Sequence, residues 1–361
     1  MKVVRSLLIF ALIAVAAGAA YLWLALAKPY GIIPPQGVFV EIPRGSSQRA
    51  AANLLENKGV IRSAIAFELY ARRHPKRSLQ AGEYFFDHPL SGKDVYWKIA
   101  NGDIFQQLFT VKEGDTMFDI AQNLQAAKYM NAEDFLAAAK NASQIQDLAP
   151  GANTLEGFLF PATYNIPRRA SAADLTTIMV HKFREALQQI APDRLDPLTP
   201  GTPLISIVTL ASIVESETPK PEERSLVAGV YTNRLHKDML LQCDPTVIYA
   251  LRQANRYNPP LTLKDLHYDS PYNTYMHTGL PPGPIDNPGE SAIRAALAPA
   301  PTDYLYFVAN TQGGHFFAST LAEHDQNVAK YHRLLNGESA DPPVTERQPT
   351  HTKGSARKGT Q

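Results

Sequence analysis

The sequence predicts an α+β protein behind a single N-terminal transmembrane helix, and three observations carry that expectation. An uncharged apolar run covers Ser6 to Ala27, a strand, glycine turn and capped helix occur twice in succession, and helical patterns then alternate with short strands as far as Leu335. With 45% hydrophobic and 9% aromatic residues among 361, the chain can bury one large core or two moderate ones. A formal charge of +1 supplies none of the positive field that nucleic-acid binding needs, so no such partner is expected. A lone cysteine, Cys243, excludes an intrachain disulfide framework and any cysteine-rich metal site.

Read in order, residues 1–5 form a short cytoplasmic N-terminus and residues 6–27 an anchor, which as a helix would span roughly 33 Å at 1.5 Å per residue. Lys2 and Arg5 precede the run and only Lys28 closes it, which places the bulk of the chain outside the cytoplasm. Ala25-Leu26-Ala27 also has the form of a signal-peptide cleavage site, an alternative that exports the chain equally well. Residues 28–38, with prolines at 29, 34 and 35, read as a stiff extended tether.

Residues 39–130 carry the repeat. FVEIP, a turn at Arg44 to Ser46 and a helix with Ala51, Ala52, Leu54 and Leu55 form the first copy. The second has FTV, a turn at Lys112 to Gly114, an N-cap at Asp115 or Thr116, and a helix with Ile120, Ala121 and Leu124. FTVKEGDTMFDIAQNL resembles a LysM motif, a βααβ module that recognises N-acetylglucosamine-containing glycans, and the first copy is LysM-like. Strand, glycine turn and capped helix are also a common structural unit, so spacer and glycan-binding roles both stay open.

Residues 131–336 form a mixed α+β domain. It opens with a short helix at 131–140, an aromatic strand-and-turn segment LEGFLFPATY and an amphipathic helix from Ala172 to Ile190. Pro203 to Glu217 is apolar nearly all round, as a core helix is, yet Ser206, Thr209, Ser212 and Glu215 fall at steps of three and make one polar stripe. Burial and the negative end of the helix dipole both disfavour a charged Glu215, so its acidity should weaken enough for it to protonate a leaving oxygen. Glu217, two residues on, faces away and is expected only to tune the site. The next helix begins at Pro221 with Glu222 and Glu223 in structural positions, and Asp244 reads as an N-cap before Pro245. A Tyr- and amide-rich loop at 272–285, a hairpin over 304–318 and a helix from Leu321 to Leu335 complete the domain, while residues 337–361 have a disordered composition. No phosphate-binding loop or close His-Glu ligand spacing occurs, so neither cofactor nor metal is expected.

Together LEGFLFPATY, LASIVESET, VAGVYTNRL, LQCDPTVIYAL, YNTYMHTGLPPGPI and LYFVAN with GGHFFAST resemble one family, the endolytic murein transglycosylases or MltG/YceG-like proteins. The resemblance runs from the anchor to about Leu335 and departs at Cys243, where a threonine is expected. It implies a lyase that cuts the β-1,4 bond between N-acetylmuramic acid and N-acetylglucosamine inside peptidoglycan strands, leaving 1,6-anhydro ends. It further implies Glu215 as the acid/base, work beside cell-wall synthases that ends nascent strands, and a single-pass place in the inner membrane facing the periplasm. Gln242, Tyr272, Asn273, Tyr275, Asp244, Glu156 and Glu217 are the expected sugar-contacting or tuning residues. Two other readings remain: a non-catalytic wall-binding scaffold, and a hydrolase whose second carboxylate lies about 5 to 9.5 Å away across the sugar.

Overall fold

The computed structural model describes residues 2–75, 77–195 and 201–337, and divides them between two compact units that meet in sequence at Gln107 and Leu108. The expected 337–361 tail, apart from Gly337, lies outside the described residues.

The first unit starts with helix α1 (Lys2–Ala27), whose Val4 to Ala27 stretch has a mean hydropathy of 2.4. It is long and apolar enough to cross a bilayer. Strand β1 (Pro29–Tyr30) follows directly, so the expected tether is pinned at its start by pairing with β4. Strand β2 (Val38–Ile42) turns Val40 and Ile42 inward and Glu41 outward, the period of two of a half-buried strand. Helices α2 (Gln48–Asn57) and α3 (Ala64–Arg72) start at Ser47 and Ser63, whose hydroxyls accept amides three residues on at 3.2 and 3.3 Å. Strand β3 (Gly82–Phe86) returns antiparallel to β2, then come β4 (Leu90–Ser91) and α4 (Gly92–Ala100). The core of this unit is Val40, Leu55, Phe67, Tyr84, Phe86 and Tyr96.

The second unit repeats the order strand, helix, helix, strand. Strand β5 (Leu108–Thr110) pairs antiparallel with β6 (Thr163–Asn165), and between them lie α5 (Met117–Ala126) and α6 (Ala132–Ala139). Thr116 is the N-cap of α5, in a capping box with Asp119. Ile120, Ala121 and Leu124 of α5 join the same core as the helices that follow. That shared core is why the compact units divide at 107/108, whereas composition sets a boundary at 130/131.

Helix α7 (Ala172–Ile190) precedes α8 (Leu204–Glu217), which is buried from Ile207 to Val214 and packs on α9 (Pro221–His236) and α11 (Glu290–Leu297). Helix α10 (Asp244–Gln253) comes between these last two in sequence. Strands β7 (Tyr306–Ala309) and β8 (His315–Ala318) form the expected hairpin, closed over by α12 (Leu321–Leu335).

LEGFLFPATY forms turns rather than a strand until Thr163. Its backbone is satisfied from the side: Asn287 Oδ1 accepts the Gly157 and Leu159 amides at 2.9 and 3.0 Å, which removes the need for a strand partner. Gly157 sits at φ +87°, where a Cβ would also meet Val208 Cγ1 at 2.8 Å, so only glycine fits this turn between α8 and Pro284.

Candidate active site

The last turn of α8 carries Glu215, Ser216 and Glu217 before the chain leaves the helix at Thr218. At about 100° per residue, the two glutamates point roughly 200° apart and enter different surroundings. Everything about the site follows from that divergence.

Glu215 faces inward to α9 and α11. Its Oε1 is ion-paired with Arg224 Nη2, both side chains being 5% exposed, and its Oε2 accepts the Gly289 amide at 3.0 Å. Arg224 Nη1 also approaches Glu113 Oε2 at 3.6 Å. Burial raises the Glu215 carboxyl above its usual range, against the Gly289 amide and the Arg224 charge, which favour the ionised form. Two serines of the same helix bind the neighbouring loop. Ser212 Oγ accepts the Ile285 amide at 3.0 Å, and Ser216 Oγ donates to the buried Asp286 at 2.5 Å. Ser212, Glu215 and Ser216 therefore lash the 285–289 loop to α8, whereas Thr209 Oγ1 donates back to Ile205 O at 2.7 Å.

Glu217 faces a cleft of about 330 Å³ lined by Tyr231, Arg234, Leu241, Gln242, Asp244, Tyr275, Phe307 and His324. Tyr231 Oη donates to its Oε1 at 2.8 Å, and the Cys243 thiol lies beside it. Burial raises its carboxyl above the usual range; bonds from Cys243 and Tyr231 oppose this, and the neighbouring Asp244 charge adds to it. Its hydrogen-bond partners are a thiol and a phenol, with the His315 charge also favouring the ionised form, where Glu215 has a guanidinium.

Of the expected sugar-contacting residues, Gln242, Asp244, Tyr275 and Glu217 come together on this one cleft. Gln242 is held at φ +51°, a left-handed conformation that costs a side-chain-bearing residue about 1–3 kcal/mol. Its amide donates to Thr274 O at 3.1 Å, which ties the start of α10 to the 272–275 loop. Asp244 is the first residue of α10 and makes no capping bond; Cys243 holds the cap position. With its side chain turned outward, Asp244 Oδ1 accepts the Tyr275 hydroxyl at 2.5 Å.

Three expected contacts lie elsewhere. Asn273 is 0% exposed, its amide donating to Leu266 O and Tyr268 O at 2.9 and 2.8 Å while its oxygen accepts the Tyr275 amide at 2.9 Å. It shapes the loop and has no free group for a sugar. Tyr272 packs on Tyr249 with ring centroids 5.0 Å apart, away from the cleft. Glu156 is 1% exposed and accepts the Met117 amide at 2.9 Å and Asn287 Nδ2 at 2.8 Å. It caps α5, and burial pushes its carboxyl up to about 8.

Sequence reading missed Tyr231, Arg234, Phe307 and His324 as cleft residues. The usable signal was that a tyrosine hydroxyl and a guanidinium on a helix face that packs into the core each need a polar partner. Arg234 finds its partners in the carbonyls of Leu305 and Leu241, at 2.7 and 2.9 Å. Phe307 and His324 arrive from the hairpin and α12, a juxtaposition no local pattern encodes.

Comparison with known proteins finds the same family. The profile of the YceG-like family matches residues 40–330. A Bacillus subtilis protein named endolytic murein transglycosylase is 35% identical over 311 residues, covering 81% of this chain and 84% of the relative. A Streptococcus pneumoniae protein of the same name is 31% identical over 324 residues; the match covers 81% of this chain but only 58% of that longer relative. The crystal structure of a yceG-like protein from Listeria monocytogenes superposes with a TM-score of 0.55 at 35% identity, covering 81% of this chain and 99% of that one.

Proposed function

Because the chain belongs to the YceG-like family, we propose that it is an endolytic murein transglycosylase, with Glu217 rather than Glu215 as its acid/base. The observation that carries this reading is the cleft: a desolvated carboxyl bonded by a phenol and a thiol, with the His315 charge also acting on it and Arg234 on the same wall, set among hydroxyl, amide and aromatic groups suited to a sugar. Glu215, the residue expected from the motif, has both oxygens committed to Arg224 and Gly289, and a carboxyl so engaged is poorly placed to give a proton to a substrate.

In the proposed reaction Glu217 gives its proton to the glycosidic oxygen as the bond from the N-acetylmuramic acid C1 breaks. The resulting carboxylate then takes the proton of the C6 hydroxyl on the same sugar, whose oxygen bonds to C1 and closes the 1,6-anhydro ring. The second proton restores the acid, and no water enters. A carboxyl whose hold on its proton is strengthened by burial suits the first step, and the Tyr231 bond, which favours the carboxylate, suits the second.

Asp244 favours a second reading, since it lies on the same cleft and could activate water as a hydrolase base. Mass spectrometry of digested cell wall separates the two: lytic products are lighter by one water than hydrolytic ones, and a glycan-binding scaffold releases neither. Anhydro ends would support the lytic route, and reducing ends would replace it with hydrolysis.

The two strand–helix–helix–strand units belong to the same proposal as LysM-like glycan contacts, supported by their element order and pairing. Helix α1 is compatible with a single-pass anchor, and the Lys2 and Arg5 bias supports a cytoplasmic N-terminus with the catalytic unit outside. An enzyme held there would cut strands close to their site of synthesis, next to cell-wall synthases, and so end their elongation.

A further inference from the structure

Helix α3 carries a stripe that its own unit leaves uncovered. Ile65 is 68% exposed and Leu69 is 46% exposed, four residues apart on one face. The same face begins near Arg62, before the helix, and ends at the exposed Arg72 and Arg73. The one acid on α3, Glu68, is paired with Arg72 at 2.7 Å, so the stripe keeps a positive balance. Two large apolar side chains between arginines are the pattern of a helix that lies in a membrane interface.

The position of α3 within the first unit supplies the second observation. Leu22 and Leu26 of α1 line one groove with Ala66, Leu69, Tyr70 and Arg73 of α3 and its end. Arg62 stacks over Tyr30, three residues past the end of α1, with 4.8 Å from guanidinium to ring centre. The 24-residue apolar stretch of α1 is about 36 Å long against roughly 30 Å of bilayer hydrocarbon. Leu22 and Leu26 therefore fall within about 5 Å of the acyl–headgroup boundary. Whatever packs beside them is held at that depth.

We infer that α3 is a membrane-contacting element, resting Ile65 and Leu69 in the acyl–headgroup boundary while Arg62, Arg72 and Arg73 meet anionic lipid phosphates. The inference rests on the anchor reading of α1. Its consequence is that the first unit is fixed against the bilayer and does not swing on a tether, so the chain beyond it starts from a set height.

Site-directed nitroxide labels test this in the full chain reconstituted into vesicles of phosphatidylethanolamine and phosphatidylglycerol. Single labels go on Ile65→Cys, Leu69→Cys and, as a control for the anchor, Ile13→Cys; Cys243 is buried and stays unlabelled. The ratio of oxygen to nickel-chelate accessibility should be several-fold higher at all three positions than for free label in buffer, and highest at Ile13→Cys. A high ratio at Ile13→Cys with water-like ratios at Ile65→Cys and Leu69→Cys overturns the inference and leaves the anchor standing. A water-like ratio at Ile13→Cys removes the anchor and the inference together.

Discussion

Arg224 and Glu215 form an ion pair in which each side chain is 5% exposed, joining the last turn of α8 to the first turns of α9. A buried pair adds little over apolar packing, but removing one partner strands a charge, at about 3–5 kcal/mol. Arg224→Met is expected to lower the unfolding free energy by about that much in urea titration. The loss should shrink in acid, where Glu215 can neutralise itself by taking a proton. An unchanged unfolding midpoint at neutral pH would mean that the pair does not hold α8 in place.

Tyr231 and Glu217 give a kinetic prediction. The Tyr231 hydroxyl donates to Glu217 at 2.8 Å and favours its ionised form, so losing that bond raises the Glu217 pKa further. A general acid works only below its pKa. The alkaline limb of the pH–rate profile should therefore move to higher pH in Tyr231→Phe, by roughly one pH unit for one hydrogen bond to a charged group. A shift in the opposite direction, or of another limb, would separate this hydroxyl from the catalytic proton.

Glu156 makes stability depend on pH. Its carboxyl titrates near 4.5 when unfolded and is pushed to about 8 by burial in the native chain. Between those values the native state holds the extra proton, so stability from this group is full below about pH 4.5 and is lost as pH rises to 8, at up to ~1.4 kcal/mol per pH unit. Glu156→Gln should flatten the fall of melting temperature across that window. A wild-type melting temperature that rises steadily from pH 5 to 8 would contradict the assignment.

Asn273 and Tyr275 lie two residues apart and should fail in different ways. Asn273→Ala leaves the carbonyls of Leu266 and Tyr268 and the Tyr275 amide without their buried partner, at about 1–3 kcal/mol for each group left unsatisfied. The expected readout is a lower melting temperature. Tyr275→Ala opens the cleft wall and frees Asp244, so KM for glycan should rise with little change in melting temperature. Equal loss of stability in both would take Tyr275 out of substrate contact.

The elements were legible because their signals are local. Helix α12 is capped by Thr320 and Glu323, α7 by Ser171 and Asp174, and α8 is apolar enough to declare itself a core helix. The site was legible only as a neighbourhood. Helical spacing says that Glu215 and Glu217 diverge, but which of them meets a cation depends on where α9 brings Arg224, a contact across nine residues and a turn. The amide-rich 272–275 loop read as sugar chemistry, yet Asn273 spends its hydrogen bonds within the loop itself. Polar composition identifies groups able to bind; packing decides which of them remain free.

The most direct measurement compares Glu217→Gln with Glu215→Gln, scoring the rate of anhydro-ended product release from purified glycan strands alongside melting temperature. Glu217→Gln should keep its melting temperature and lose roughly 10²- to 10⁴-fold in rate, the scale of a missing general acid. Glu215→Gln should instead melt lower while retaining much of its rate at temperatures where it stays folded. Full activity in Glu217→Gln, with activity abolished in a fully folded Glu215→Gln, would return the catalytic role to the residue facing Arg224.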